Sequence, residues 1–416
     1  MGLKNKKIIF CFPYKGGPGG VNMLFLRLAT FLRESGYDSV IVDYKNGDMS
    51  NNRQSSLPLI EYHDDKKVVL PSNSIIILQS MTPWSIFPSL EISDNSQVFF
   101  ITTLPHNFFP VLPGKLRNIM SKGQTLAKII WKSLLSSEYF KIKRFISIAD
   151  RKGALVFLDS DIVCNVKKSL NIDIKSPKLF PLFSETISRE NLFLTDHKFD
   201  ESLLKVGWVG RIADFKINIL NKVITDAFKY SNNHQQKIIF HVVGDGECSK
   251  QLVNYKSEYF SIERVDYIKP SQLSKYMLKL DMLFVMGTTA LDSSRIGVPT
   301  VRLDYSFSKI SDDYLYKIIY EVSGFSLGEN LDGQCFNKGR HSFDALMESM
   351  KKDRFTLSRK CFDYYNENHS IENSSKIFIN YVANSNLKWK DLRKERVLQS
   401  IFYNFWKVFK NKFKEI

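Results

Sequence analysis

The chain lacks the marks of several common protein classes. Its five cysteines (11, 164, 248, 335 and 361) are odd in number and scattered, and no two form a Cys-x-x-Cys pair. That pattern argues against a zinc ribbon or a disulfide framework and for a reducing compartment. The seven histidines show no His-Glu-x-x-His arrangement, so no protein-built metal site is expected. No apolar run approaches the ~18 residues of a membrane-spanning helix. The first apolar run, Ile8 to Phe12, is too short for the core of a signal peptide, ends at Pro13, and reads as a strand. Lys6 interrupts the pattern that would permit N-terminal lipidation. The expectation is a cytoplasmic protein with no covalent anchor.

What is present points to a large globular protein. A chain of 416 residues exceeds one ordinary core, so two domains are expected. Net charge is +16, and it is uneven: Lys115 to Lys152 carries ten Lys/Arg against two acids, and Lys388 to Ile416 carries nine against three. Both stretches place apolar residues at helical spacing, Leu116, Ile119, Met120, Ala127, Ile130, Trp131 and Leu134 in one, Ile401, Phe402, Phe405, Trp406 and Phe409 in the other. Basic amphipathic helices suit an anionic membrane surface. The plainer reading is that these stripes pack on the protein while the lysines face water. No recognition motif accompanies the charge, so nucleic acid is not expected as a partner.

Short buried strands alternate with helices, which means parallel sheets. In the first half, strands are expected at Ile8–Tyr14, Ser39–Asp43, Ile75–Leu78, Val98–Thr102 and Leu155–Leu158. A glycine loop, Lys15 to Gly20, leads into a helix from Asn22 to Ser35, and the polar stretch from Asn46 to Ser56 reads as loop. A break in composition from about Phe183 to Glu201 reads as a linker. The pattern then restarts, with strands at Val206–Val209, Ile238–Val243, Met282–Val285 and Thr300–Leu303. Helices are expected at Ile219–Lys229, Gln272–Lys279 and Ala290–Ile296. The fold class expected is α/β, two doubly wound Rossmann-like domains facing a central cleft, with ligands at the carboxyl ends of strands. The domains span 1–185, with a basic amphipathic insert at 115–152, and 202–354. Helices at 355–385 cross back to the first domain, and a basic amphipathic tail covers 386–416.

Two segments in the second half carry the chemistry. Gly210-Arg211-Ile-Ala-Asp-Phe-Lys216 follows an apolar run and puts two cations five residues apart in a turn. Met286-Gly287-Thr288-Thr289-Ala-Leu-Asp292 puts small residues, hydroxyls and a carboxylate where a strand gives way to a helix. A helix N-terminus offers unpaired N–H groups and the positive end of a dipole, which suits phosphate. Charge-assisted hydrogen bonds from Arg211 and Lys216 would add roughly 1.5–3 kcal/mol each. Thr288 and Thr289 could also cap the helix, and Asp292 could be a plain residue of the helix face. Gly19 and Gly20 permit positive φ and a close approach of backbone to ligand; a tight strand-to-helix turn would need the same.

These residues resemble a GT-B glycosyltransferase of the retaining family-4 type, over most of residues 8–380. Gly16 to Asn22 resembles that family's N-terminal glycine turn, and Gly210-Arg211 with Lys216 resembles its G-R-(x4)-K segment. Val243-Gly244-Asp245-Gly246 resembles its V-G-D-G strand end, and Ala290 to Pro299 its E-A-x-x-x-G-x-P helix. The resemblance implies transfer of a sugar from a nucleotide-diphosphate donor, with retention at the anomeric carbon. It implies no cofactor and no metal, the nucleotide-sugar being a co-substrate. Arg211, Lys216 and His106 would serve catalysis, His106 by orienting the sugar. Gly19, Gly20, Gly210, Gly244, Gly246, Gly287, Thr288, Thr289 and Asp292 would hold the donor, Asp292 in the place of the family's second glutamate. The acceptor would be a glycan or lipid-linked glycan of cell-surface polysaccharide, O-antigen or capsule type, met peripherally at the inner face of the membrane. The chain departs from the family where its first glutamate would fall, since Phe284 stands there. That departure keeps open a non-catalytic nucleotide- or glycan-binding partner in envelope assembly.

Three other readings fit less well. NAD binding would use the glycine loop and Asp43, but Asn22 stands where the last glycine of G-x-G-x-x-G would fall. Asp159-Ser160-Asp161 has the form that holds Mg2+ or Mn2+ on a diphosphate in GT-A enzymes. Such an enzyme has no need of the downstream segments, so this stretch reads as the end of the fifth strand. An epimerase of the same fold has no use for lipid-facing segments.

Overall fold

The computed structural model describes residues 3–15, 19–80, 87, 89–108, 133, 136–184, 199–332 and 338–398. Two compact units emerge, one formed by Met1–Phe180 with Ser375–Ile416 and the other by Pro181–Ser374.

The first unit is built on strands β1 (Ile8–Cys11), β2 (Ser39–Asp43), β3 (Leu59–Glu61), β5 (Ile75–Gln79), β7 (Gln97–Thr102), β8 (Leu155–Phe157) and β9 (Lys178–Leu179). They form one sheet in the order β3-β2-β1-β5-β7-β8-β9, parallel throughout, while β4 (Val68–Val69) and β6 (Leu90–Glu91) pair separately. Central strands such as Ile75-Ile-Ile-Leu-Gln79 are buried along their whole length, as strands covered by helices on both faces must be. Helix α1 (Gly20–Glu34) follows β1, and the short α2 (Asp48–Asn52) interrupts the stretch expected to be loop. Helices α3 (Ser136–Arg151) and α4 (Ser160–Leu170) flank β8. The Asp159 side chain accepts the Ile162 N–H at 2.8 Å and caps α4. The D-x-D segment is therefore a strand-to-helix turn, and β8 stops earlier, at Phe157.

The basic segment 115–152 behaves differently from a surface amphipath where it is described. In α3 the apolar residues Ile142, Phe145, Ile146 and Ala149 are buried in the unit's own core, because a helix beside a sheet gains most by turning its apolar stripe inward. Phe140 alone of its large apolar residues stays out, 66% exposed. The apolar residues from Leu116 to Leu134 lie outside the described residues, as do most of the expected linker and the tail beyond residue 398. Among the described residues no helix is long and apolar enough to cross a membrane. The cysteine pattern misled at one position: Cys11, Cys248 and Cys361 are free and buried, but Cys164 is disulfide-bonded.

The second unit holds β10 (Leu203–Val209), β11 (Lys237–Val243), β12 (Phe260–Val265), β13 (Met282–Val285), β14 (Thr300–Arg302) and β15 (Lys317–Ile318) in the order β12-β11-β10-β13-β14-β15. All pairs are parallel except β14 with β15. Helices α5 (Asp214–Asn233), α6 (Pro270–Met277) and α7 (Thr288–Arg295) connect the strands, and α8 (Phe343–Asn368) follows. The chain then runs through α9 (Ile371–Ala383) into α10 (Trp389–Lys394) of the first unit.

Candidate functional site

The strand order of the second unit reverses between β10 and β13. These two strands are neighbours, with Val206 opposite Met282 and Gly207 opposite Leu283. β10 leads to β11 on one side and β13 to β14 on the other, so the turns at their carboxyl ends diverge and leave the crevice where doubly wound sheets bind ligands. The two segments singled out in the sequence are those two turns.

The turn after β10 is held by a backbone zipper. Gly210 N–H donates to Val243 O at 2.9 Å, Ile212 N–H to Asp245 O at 3.1 Å, and Cys248 N–H returns to Ile212 O at 3.2 Å. Gly244 and Gly246 make this approach possible, since a Cβ would lie 2.2 Å from Gly210 O at the first and 2.3 Å from Ile212 O at the second. Both glycines thus face the Arg211 turn and shape it. Buried Trp208 lies beneath, its Nε1–H donating to Gly210 O at 3.2 Å.

Arg211 is exposed and Lys216 half-buried. Lys216 Nζ lies 5.9 Å from the Trp208 ring centroid and 5.5 Å from that of Phe215, within cation–π range. Burial is the first reason that the Lys216 pKa lies below the ordinary lysine value, and the charge of Arg211 is the second. Neither cation forms an ion pair among the described residues. Two like charges held together with no anion beside them among the described residues make a place for one.

At the end of β13, Gly287 takes φ 65° and ψ −146° and is itself the N-cap residue of α7. Neither Thr288 nor Thr289 caps, because the chain enters the helix through a glycine with no side chain to offer, and both threonines already lie inside the first turn. Their amides have no intrahelical acceptor. Gly287 N–H is taken by Leu327 O at 2.7 Å, and space beyond its α-carbon is open. Asp292 sits on the next turn, 3.8 Å from Arg295 in an i,i+3 ion pair. Phe284 is fully buried, stacked on Phe343 at 5.4 Å and edge-on to Tyr316 at 5.7 Å. It is core.

The remaining three candidates belong to the first unit. Gly19 is the N-cap of α1 with φ −126°, its N–H donating to Asp48 Oδ2 at 3.2 Å, and Gly20 opens the helix with no atom within 4 Å of a built Cβ. Neither uses the positive φ that glycine allows, because the helix already starts at Gly20. His106 is exposed in a short 3-10 turn after β7. That turn is fixed by a residue the sequence did not flag: buried Asn107 accepts the N–H groups of Thr103 and Leu104 at 2.8 and 2.9 Å. Asp43, the acid weighed for ribose, is buried and accepts backbone N–H groups from Tyr14, Tyr44 and Ser50 at 3.0, 2.8 and 3.0 Å. Its lone pairs are spent on its own loops.

The sequence also missed a buried charge cluster at the end of β14. Arg302, Asp304, Lys317 and Glu329 are all nearly or wholly buried. Arg302 meets Asp304 directly and lies 3.6 Å from Glu329, while Lys317 lies 3.4 Å from Glu329 and 3.9 Å from Asp304. Tyr314 donates its hydroxyl to Asp304 at 3.1 Å. Burial raises the Asp304 pKa and lowers that of Lys317.

No protein-family model matches the sequence, and no curated protein matches it. Solved structures do. A glycosyltransferase from Rickettsia africae aligns with a TM-score of 0.51 at 12% identity, over 91% of this chain and 98% of that one. An alpha-glucosyltransferase solved with UDP and a 13-mer DNA aligns at 0.48 with 11% identity, over 91% and 100% of the two chains. Anabaena HepE, solved with UDP and glucose, aligns at 0.45 with 9% identity, again over 91% and 100%. Only the first likeness is close enough to bear on the fold. With two parallel-sheet α/β units in one chain, the fold is GT-B.

Proposed function

We propose that the chain is a glycosyltransferase that takes a sugar from a nucleotide-diphosphate donor and passes it to a glycan or lipid-linked acceptor. The observation that carries this reading is the conjunction of Arg211 and Lys216, cations without an ion pair among the described residues, with the open first turn of α7 at the adjacent strand end. As the bond from sugar to phosphate breaks, negative charge grows on the departing diphosphate. Fixed cations and amides aimed at that charge lower the barrier. Because side chains supply the positive charge, the transfer we propose is metal-independent and without a cofactor. Its resemblance to the family-4 type supports retention at the anomeric carbon, and the Rickettsia protein of the same fold is a glycosyltransferase.

His106 would orient the reacting sugar and Asp292 the donor's hydroxyls. The acceptor belongs to cell-surface polysaccharide of O-antigen or capsule type. The basic segments at 115–152 and 386–416 would bring the protein to an anionic membrane surface on the cytoplasmic side.

The test is thermal stability against UDP, GDP, dTDP, ADP, CMP and NAD. A ligand at ~100 times its dissociation constant adds about 2.7 kcal/mol. One nucleoside diphosphate should stabilise the protein, and Arg211→Ala should abolish the effect. Stabilisation by NAD alone would sink the reading.

A second reading has its own observation. Phe284 is core and supplies no carboxylate where the family's first glutamate would fall, which suits a non-catalytic nucleotide- or glycan-binding partner. Release of free nucleoside diphosphate from a nucleotide-sugar, lost in Arg211→Ala, would exclude it.

A further inference from the structure

The buried cluster Arg302, Asp304, Lys317 and Glu329 is costly to build, and the fold would be simpler with apolar residues there. Its backbone connections indicate its use. Asp304 Oδ1 accepts the N–H of Glu329 at 2.9 Å, Tyr305 N–H donates to Glu329 O at 2.9 Å, and Leu331 N–H donates to Tyr305 O at 2.9 Å. The segment around Glu329 is thereby clamped to the residues that follow β14. Two residues before Glu329, Leu327 O holds Gly287 N–H. Two residues beyond Asp304, Ser306 N–H donates to Phe215 O at 3.2 Å, and the Tyr305 ring packs edge-on to Phe215 at 5.7 Å. Phe215 is the neighbour of Lys216 and carries its ammonium over the ring. One clamp therefore touches both halves of the anion site.

We propose that the four-charge cluster is a positioning device, holding the Gly287 turn and the Phe215–Lys216 turn at the separation a diphosphate requires. This rests on the anion site of the proposed function. Asp304 and Glu329 balance Arg302 and Lys317, so the clamp closes only when the charges cancel. Removing one anion leaves an excess buried cation, which pushes the strap away from β14 and carries Gly287 with it.

The experiment measures binding of inorganic pyrophosphate, which reads the anion site without a base or sugar. Calorimetric titrations compare the unaltered protein, Lys216→Ala, Glu329→Gln, and Glu329→Gln combined with Lys317→Met. Circular dichroism and the unfolding midpoint report folding. Glu329→Gln should weaken pyrophosphate binding about tenfold or more, as small displacements of a charged site do. The double variant, neutral again, should recover most of the affinity. That rescue would not follow if Glu329 merely filled space. Equal affinity in Glu329→Gln and the unaltered protein, with Lys216→Ala impaired, would overturn the positioning role and leave the anion site standing. A double variant that folds yet binds no better than Glu329→Gln would also overturn it. If the unaltered protein binds no pyrophosphate, the anion site itself is refuted and the positioning role falls with it.

Discussion

Gly244 stands with its α-carbon against the carbonyl oxygen of Gly210, so close that a methyl group built there would lie 2.2 Å from that oxygen. Its φ of +123° compounds the restriction. The loop after β11 can support the Arg211 turn only because this position carries no side chain.

Gly244→Ala should therefore cost about 3 kcal/mol or more, from strain and displaced backbone together. Urea unfolding measures it, and pyrophosphate affinity should fall as the Arg211 turn moves. Gly20→Ala is the contrasting case. It lies at the start of α1 with open space around it, so alanine should be neutral or stabilise by up to about 1 kcal/mol. A loss of stability at Gly20→Ala would contradict this picture of the turn.

Affinity for a diphosphate should fall on the alkaline side earlier than an ordinary lysine would dictate, because Lys216 binds its proton less tightly than a free lysine. Stability moves the opposite way. Between the folded and unfolded pKa values the unfolded chain holds more protons, so stability rises with pH across that window while binding weakens. Titrating pyrophosphate from pH 7 to 10 checks the first effect. Lys216→Arg, which stays charged, should flatten the profile.

His369 should make the second unit acid-sensitive. Its Nδ1–H donates to Leu182 O at 2.6 Å, and burial pushes its pKa down to about 4. A carbonyl only accepts, so a proton sits on Nδ1, and the lowered pKa keeps the ring neutral at pH 7. As pH falls below the ordinary histidine value the unfolded chain takes up a proton that the folded one refuses, and stability is lost until pH reaches about 4. The full loss is on the order of 3 kcal/mol. Urea midpoints at pH 7 and 4.5 measure it, and His369→Gln should remove the slope in that window.

Asp43→Asn should destabilise the first unit by about 2 kcal/mol, since an amide nitrogen would face a backbone N–H now satisfied by the carboxylate. Thermal unfolding checks this. A change confined to NAD binding would instead restore the ribose reading.

The parallel strands were legible because burial on both faces writes them as unbroken apolar runs such as Ile75 to Leu78. The edge strand β12 was not, since Phe260-Ser-Ile-Glu-Arg-Val265 carries the charges of a solvent-facing edge. Helix α2 hid in a polar stretch, with Asp48 the only acid of its first turn and Gly47 at its N-cap. At the candidate site, residue types and spacing gave the two cations and the glycine turn. That β10 and β13 are neighbours is a matter of pairing, which spacing along the chain does not encode. The charge cluster left no pattern either, because its four members are distributed over 28 positions and each alone reads as an ordinary surface residue. Its only trace was Arg302 and Asp304 inside an otherwise apolar run.

The first unit is not contiguous in the chain. Phe378 stacks on Phe10 at 5.9 Å, meets Phe99 edge-on at 5.7 Å and lies 5.7 Å from Phe180. It is completely buried, yet it is synthesised after all of the second unit. A ribosome that has finished the first sheet must make almost two hundred more residues before this ring is delivered. Until then the nascent sheet carries an apolar vacancy beside Phe10 and Phe99, of the kind that invites aggregation and chaperones. Translation order therefore makes the second unit the first that can mature, although its sequence begins later.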